Sequence, residues 1–367
     1  MSRIAKAVVC REWNAPLQVE EIRVDPPKHG EITIKLAACG VCHSDLSAAN
    51  GTIRFPPPLV LGHEGAGVVV EVGEGVTDFQ VGDHVVSSFI YMCGKCRYCS
   101  QGRPVLCEKA AQAFFTLPDG SVRTFDADGK PLNVFGGVGV MAEYATLHVN
   151  NAVKIDSDIP LDRAALVGCA VMTGVGSVFN TAQLRPGSTA AVFGCGGVGL
   201  NVIQGCAIAG AETIIAVDTN DQKLEMARQF GATETVNAAK EEDVARAIRK
   251  RTGGVDYAFE CVGAGSVVEQ AYNSLGRAGT AVVMGVANPG DRTTFKTLTL
   301  PADERTLKGS WYGSARPQHD FPQLLSLYRR GKLKLDELVT RTYGIDEAVQ
   351  AFEDMQSGRN ARGVIVF

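Results

Sequence analysis

Four cysteines share one short loop: Cys93, Cys96, Cys99 and Cys107, spaced C-x2-C-x2-C-x7-C. Four thiolates this close, among glycine and charged residues, suit a closed tetrahedral zinc site. An iron–sulfur cluster is the alternative, though its usual patterns have other intervals, and four unrelated thiols is the plain reading. With all ligands drawn from protein, no position is open to a substrate, so the site is structural and pins the lobe 93–107. A second concentration is Cys42-His43-Ser44-Asp45, which sets thiol, imidazole, hydroxyl and carboxylate side by side. Gly62-His63-Glu64-Gly65 follows, and its flanking glycines let other backbone come close. His63 alone reads as an ordinary core or surface histidine; the acid after it and Cys42 upstream make it a candidate ligand. Cys169, taken alone, reads as a core cysteine.

The third concentration is Gly194-Cys-Gly196-Gly197-Val198-Gly199, a G-x-G-x-x-G run behind the apolar Ala190–Phe193. The first glycine permits the tight turn, the second lets backbone approach a pyrophosphate, and the third packs helix on strand. Asp218 lies 19 residues past Gly199, at the end of the apolar run from Ile214, where a carboxylate accepts bonds from ribose hydroxyls. A chain with 41 glycines yields such patterns by chance. The strand before, the helix after and the acid at its distance favour a nucleotide site over a purely structural turn.

These groups need two kinds of scaffold. Residues 6–39 and 68–86 read as short strands and turns, with Gly82-Asp83 at a turn within Phe79–Val86. Asp158 is expected to cap a helix reaching Leu166, with Pro160 in its first turn. From about residue 188 strands and helices alternate: helices over 222–231 and 243–251, buried strands over 254–260 and 280–285. Helices over 321–331 and 345–358 and a strand over 363–367 complete the chain. The expected class is α/β, a β-rich domain beside a doubly wound one.

With 367 residues, two domains are the default. A net charge of -4 gives no hint of nucleic-acid binding, and no apolar run reaches the 18 residues of a membrane span. The N-terminus lacks a signal-peptide core, so a cytoplasmic location is expected. There the 11 cysteines are thiols or metal ligands rather than disulfides.

Together, Cys42–Asp45, Gly62–Gly67, the cysteine lobe, Gly168-Cys169 and the glycine turn resemble the zinc-containing medium-chain alcohol dehydrogenases, from about residue 5 onward. The resemblance implies a GroES-like catalytic domain over 1–170 and 313–367, and a Rossmann NAD-binding domain over 171–312. It implies two zinc ions per subunit, the catalytic one held by Cys42, His63 and Cys169, with Glu64 close behind and Asp45 orienting His63. Ser44 matches the hydroxyl that meets the substrate oxygen. His43 and Arg362 match basic residues at the cofactor pyrophosphate, and Lys223 one near the adenosine ribose. Phe89 and Met141 match the substrate channel. The implied reaction is reversible oxidation of a primary alcohol, aromatic or medium-length, to an aldehyde by NAD, in a homodimer or homotetramer.

Asp218 should repel the 2′-phosphate of NADP. Two family positions depart: a relaying histidine is replaced by Ser47, and an arginine of glutathione–formaldehyde enzymes by Ala111. A formaldehyde dehydrogenase using another small thiol, and a non-catalytic protein binding nucleotide and zinc, are the competing readings.

Overall fold

The computed structural model describes all 367 residues and divides into two compact units. The first comprises residues 1–169, 316–328 and 335–367, the second 170–315 and 329–334. No single helix is long and apolar enough to cross a membrane.

The first unit is built on two sheets. Alternating strands such as Arg3–Cys10 and Gln18–Val24 pair antiparallel in a five-stranded sheet. In the seven-stranded sheet, Glu31–Gly40 pairs with Gly65–Val72, Tyr144–His148 and Arg362–Val366. Its inward residues Ile32, Ile34, Leu36, Val69, Val85 and Ile365 form one buried core. That core lies directly behind the segments carrying Cys42 and His63.

The second unit holds six parallel strands: Thr189–Phe193, Thr213–Asp218, Glu234–Asn237, Val255–Glu260, Leu275–Val283 and Thr306–Gly309, here β1 to β6. Their spatial order is 3-2-1-4-5-6, the doubly wound arrangement. Strands buried on both faces explain the unbroken apolar runs at Ala190–Phe193 and Ile214–Val217. The helix Val244–Thr252 is capped by Asp243, whose carboxylate accepts the Arg246 N–H at 2.8 Å.

One local expectation fails. Asp158 does not cap a helix: the helix begins at Leu161, with Pro160 in the cap position and no side-chain cap. Pro160 disfavours helical backbone at Ile159, which pushes the start past Asp158. The turn expected at Gly82-Asp83 is present, and the strand His84–Ser87 follows it. Before it the chain turns, with Gly82 at φ +96° and the Asp83 carboxylate accepting the Gln80 N–H.

Candidate metal centre and cofactor turn

Three segments of the first unit bring Cys42, His63, Glu64 and Cys169 together, all buried, with their ligand atoms within 4.8 Å of one another. Cys42 precedes the helix His43–Ala49 in extended backbone. Cys169 is the single non-helical residue between the turn Ala165–Gly168 and the helix Ala170–Gly176. His63 and Glu64 lie just before the strand Gly65–Val72. Glycines permit the crowding: a Cβ on Gly62, at φ +92°, would strike the Met141 backbone, and one on Gly40 would strike the Glu64 carboxylate.

The polar partners fix the donor atoms. Asp45 Oδ1 accepts the Gly62 N–H at 2.9 Å and lies 3.2 Å from His63 Nδ1. With its Nδ1–H on that carboxylate, His63 presents Nε2 as a bare acceptor, and this buried atom has no hydrogen-bond partner. Ser87 Oγ donates to the His63 carbonyl at 3.2 Å and accepts the Gly65 N–H at 2.9 Å, holding the same segment from behind. Glu64 Oε2 pairs with the Arg362 guanidinium, while Glu64 Oε1 has no partner.

The hydrogen bond between the two sulfurs holds the Cys42 thiol well below its ordinary range and pushes Cys169 well above it. Burial opposes the first shift and reinforces the second. Two buried thiols and a bare imidazole nitrogen are a set that a divalent cation satisfies, so these residues fit a zinc ion.

Around His63 stands a group of phenylalanines. Phe135 packs on its ring at 4.7 Å between centroids, and Phe89 meets it edge-on at 5.3 Å. Phe55 stacks on Phe135 at 4.6 Å, with Phe114 and Phe115 edge-on to Phe55. Met141 lies in the same buried core as Phe55 and Phe135. It is completely buried, with its backbone bonded to Val8 and Leu61. Its side chain packs in the core against Gly62. Ser44 is half-buried and His43 exposed, both in the first turn of the helix that Cys42 precedes.

In the lobe, the sulfurs of Cys93, Cys96, Cys99 and Cys107 also lie within 4.8 Å of one another. Backbone N–H groups of Cys93 and Cys96 donate to the Cys107 and Cys93 sulfurs, both at 3.3 Å. Backbone hydrogen bonding draws the Cys96 thiol down to about 6, whereas burial pushes Cys99 up to about 12. All eleven cysteines are free thiols.

In the second unit the glycine turn joins β1 to the helix Gly197–Ile208. Gly194 sits at φ +93°, and a Cβ on Gly199 would strike the Gly194 carbonyl. A Cβ on Gly196 would meet nothing, so the helix N-terminus is open there, and no side chain caps it. Asp218 ends β2 and accepts the Cys195 N–H at 2.8 Å and the Asn220 N–H at 3.0 Å. Val198 and Lys223 lie half-buried on the helices that follow β1 and β2. An open helix N-terminus beside a carboxylate fits the pyrophosphate and ribose of a dinucleotide.

Comparison with known proteins agrees with this geometry. Residues 28–157 match the alcohol dehydrogenase GroES-like domain, and residues 197–330 match the zinc-binding dehydrogenase family. An NDMA-dependent alcohol dehydrogenase of Amycolatopsis methanolica is 42% identical over 98% of each chain. The chain belongs to the zinc-dependent medium-chain alcohol dehydrogenases. Among solved structures, an alcohol dehydrogenase zinc-binding domain protein from Burkholderia ambifaria superposes with a TM-score of 0.96, at 36% identity over 100% of both chains. A benzyl alcohol dehydrogenase from Acinetobacter calcoaceticus gives 0.94, at 33% identity over 100% of this chain and 99% of that one.

As a medium-chain alcohol dehydrogenase, the chain is an oxidoreductase with a GroES-like and a Rossmann-type domain. Sequence reasoning missed two of its residues, Ser87 and Phe135, and one pairing, that of Arg362 with Glu64. Phe135 had a weak signal, as the one aromatic residue beside the Gly136-Gly137 turn. Ser87 and the Arg362 pairing had none, because each acts through a partner distant in sequence.

Proposed function

We propose that this dehydrogenase catalyses the reversible oxidation of an uncharged primary alcohol, aromatic or of medium length, to the aldehyde, with NAD as hydride acceptor. The observation that carries the reading is the buried set of Cys42, His63 and Cys169 with His63 Nε2 bare. Residues 1–170 and 313–367 serve as the catalytic domain and 171–312 as the NAD-binding domain. Cys42, His63 and Cys169 hold the catalytic zinc, and the four lobe cysteines hold a second, structural one.

A zinc ion held by Cys42, His63 and Cys169 would supply Lewis-acid chemistry to the alcohol oxygen. The protein's own residues do the rest. Asp45 keeps His63 in the tautomer that offers Nε2. Ser44 takes the proton from the alcohol oxygen and passes one onward, since a hydroxyl donates as it accepts. Ser47 cannot titrate near neutral pH, so the path beyond Ser44 runs through His43, a cofactor hydroxyl or water. Phe89, Phe135 and Phe55 present apolar faces and edges that suit a ring or alkyl chain. Gly194, Gly196, Gly197, Val198 and Gly199 seat the pyrophosphate, Asp218 takes the adenosine ribose with Lys223 near it, and His43 and Arg362 meet the phosphates. Subunits pair through their cofactor-domain sheets, a reading that rests on family likeness alone.

The Amycolatopsis relative's name favours a second reading, in which turnover depends on NDMA rather than on free NAD. A panel of benzylic and aliphatic alcohols, assayed with NAD alone and with NDMA as acceptor, decides between them. Turnover with NAD alone supports the first reading. Turnover seen solely with NDMA replaces it with the second, and no turnover with either sinks both.

A further inference from the structure

A doubly wound sheet takes one mononucleotide of a dinucleotide against each of its halves, across the crevice at the strand ends. Two carboxylates stand at strand ends here. Asp218, in the half formed by β1 to β3, draws the glycine turn's Cys195 N–H onto itself. Glu260 ends β4, the first strand of the other half, and is completely buried.

Glu260 Oε1 accepts the Val262 N–H at 2.8 Å and the Gly263 N–H at 2.6 Å. Its main-chain carbonyl accepts the Met284 and Gly285 N–H groups, at 3.1 and 3.2 Å, from the loop after β5. Oε2 makes no hydrogen bond of ordinary length. Burial raises the carboxyl's pKa, while the N–H groups of Gly263, Val262, Ala264 and Gly285 oppose that shift. The two loops meet too closely for side chains. A Cβ on Gly285 would strike the Gly263 nitrogen and come within 2.7 Å of Oε2, and one on Gly263, at φ +85°, would come within 2.7 Å of the Val286 carbonyl.

This junction abuts the cofactor turn. Glu260 is in register with Phe193, and the Cys261 N–H donates to the Phe193 carbonyl at 2.9 Å, one residue before Gly194. A buried carboxylate costs desolvation energy that a residue used purely for packing would not. Its place is explained if loop geometry at the crevice, rather than stability, is what it secures.

We infer that Glu260 is a positioning residue, which shapes the loop Cys261–Gly263 to receive the nicotinamide-side mononucleotide. The inference rests on the nicotinamide reading given under Proposed function. Glu260→Gln keeps the size but removes the negative charge that the N–H groups of Val262 and Gly263 face, so their hold on the loop weakens. The discriminating ligands are NAD and ADP, since ADP lacks the nicotinamide ribose and ring.

Calorimetric titration of both ligands into the parent and Glu260→Gln, with thermal melts to confirm folding, is the test. The NAD Kd should rise about tenfold, the scale of one hydrogen bond to a charged group, while the ADP Kd stays within about twofold. Equal weakening of both ligands, or no change in either, overturns the inference. If Glu260→Gln fails to fold, Glu260→Asp, which keeps the charge but shortens the reach, is judged by the same ratio. A parent that binds neither ligand overturns the nicotinamide reading itself, before any variant is compared.

Discussion

The two cysteine-bearing clusters are built in opposite ways. The lobe takes its four cysteines from residues 93–107, three of them half-exposed, and bonds its sulfurs with its own backbone N–H groups. The buried set draws its side chains from residues 42, 63–64 and 169, and relies on Asp45, Ser87 and Arg362 to hold them. The lobe's geometry is a matter of local turns. The buried set's geometry is a matter of tertiary packing, where Gly40, Gly62 and Gly168 let segments approach to distances that side chains would forbid. A local cluster can stabilise a fold, whereas a dispersed one needs the fold first and can be tuned by residues that never touch the metal.

The sharpest test of that contrast is a pair of substitutions. Cys169→Ser should cut kcat/KM by on the order of 10³-fold, since it removes a ligand to the Lewis acid, while the melting temperature stays near the parent's. Cys93→Ser should do the reverse, lowering the melting temperature by at least about 5 °C and leaving turnover per remaining buried zinc unchanged. Metal analysis should find two zinc ions in the parent and one in each variant. If the two variants lose the same property, the division of roles is wrong.

Ser44→Ala probes the chemistry beside the buried set without touching a ligand. We expect kcat for alcohol oxidation to fall by on the order of 10²-fold, with an altered pH profile. Coincident profiles of parent and variant would remove Ser44 from the proton path.

Asp45→Asn asks whether the buried set depends on its supporting shell. Zinc affinity there should drop by about 10- to 100-fold, and the lobe should keep its metal through the same chelator titration. Parallel loss from both clusters would mean that they are not independent.

Phe135→Ala should have the smallest effect. Its ring lies on His63 and supports Phe55, so its loss should weaken transition-state binding of benzylic alcohols by about 1–3 kcal/mol relative to short aliphatic ones. Equal loss for both alcohol classes would make Phe135 a packing residue only.

What the amino-acid sequence made legible follows the same division. The lobe and the glycine turn announce themselves by spacing, because each is a single loop. Cys169 carries no sign of its own, and only family likeness tied it to Cys42 and His63. Asp158 misled because the restriction that Pro160 places on Ile159 outweighs a favourable cap residue. The stacking of Phe55 on Phe135, and of Phe135 on His63, depends on three loops meeting, which no periodicity records.

Glu64 and Arg362 stand 298 positions apart. Arg362 also opens the strand Arg362–Val366, which sits between Glu31–Gly40 and Val339–Gly344. During synthesis on the ribosome, the first unit therefore lacks an inner strand and a buried counterion until after the whole of the second unit has emerged. A carboxylate buried without its partner costs about 3–5 kcal/mol, so the incomplete unit has reason to stay open. The lobe has every ligand it needs once Cys107 is clear of the exit tunnel. A nascent chain arrested at residue 350 should accordingly retain zinc at the lobe alone, which metal analysis of purified stalled complexes would show. Loading of the buried set is then an event that follows translation, and it reports that the chain has been read through.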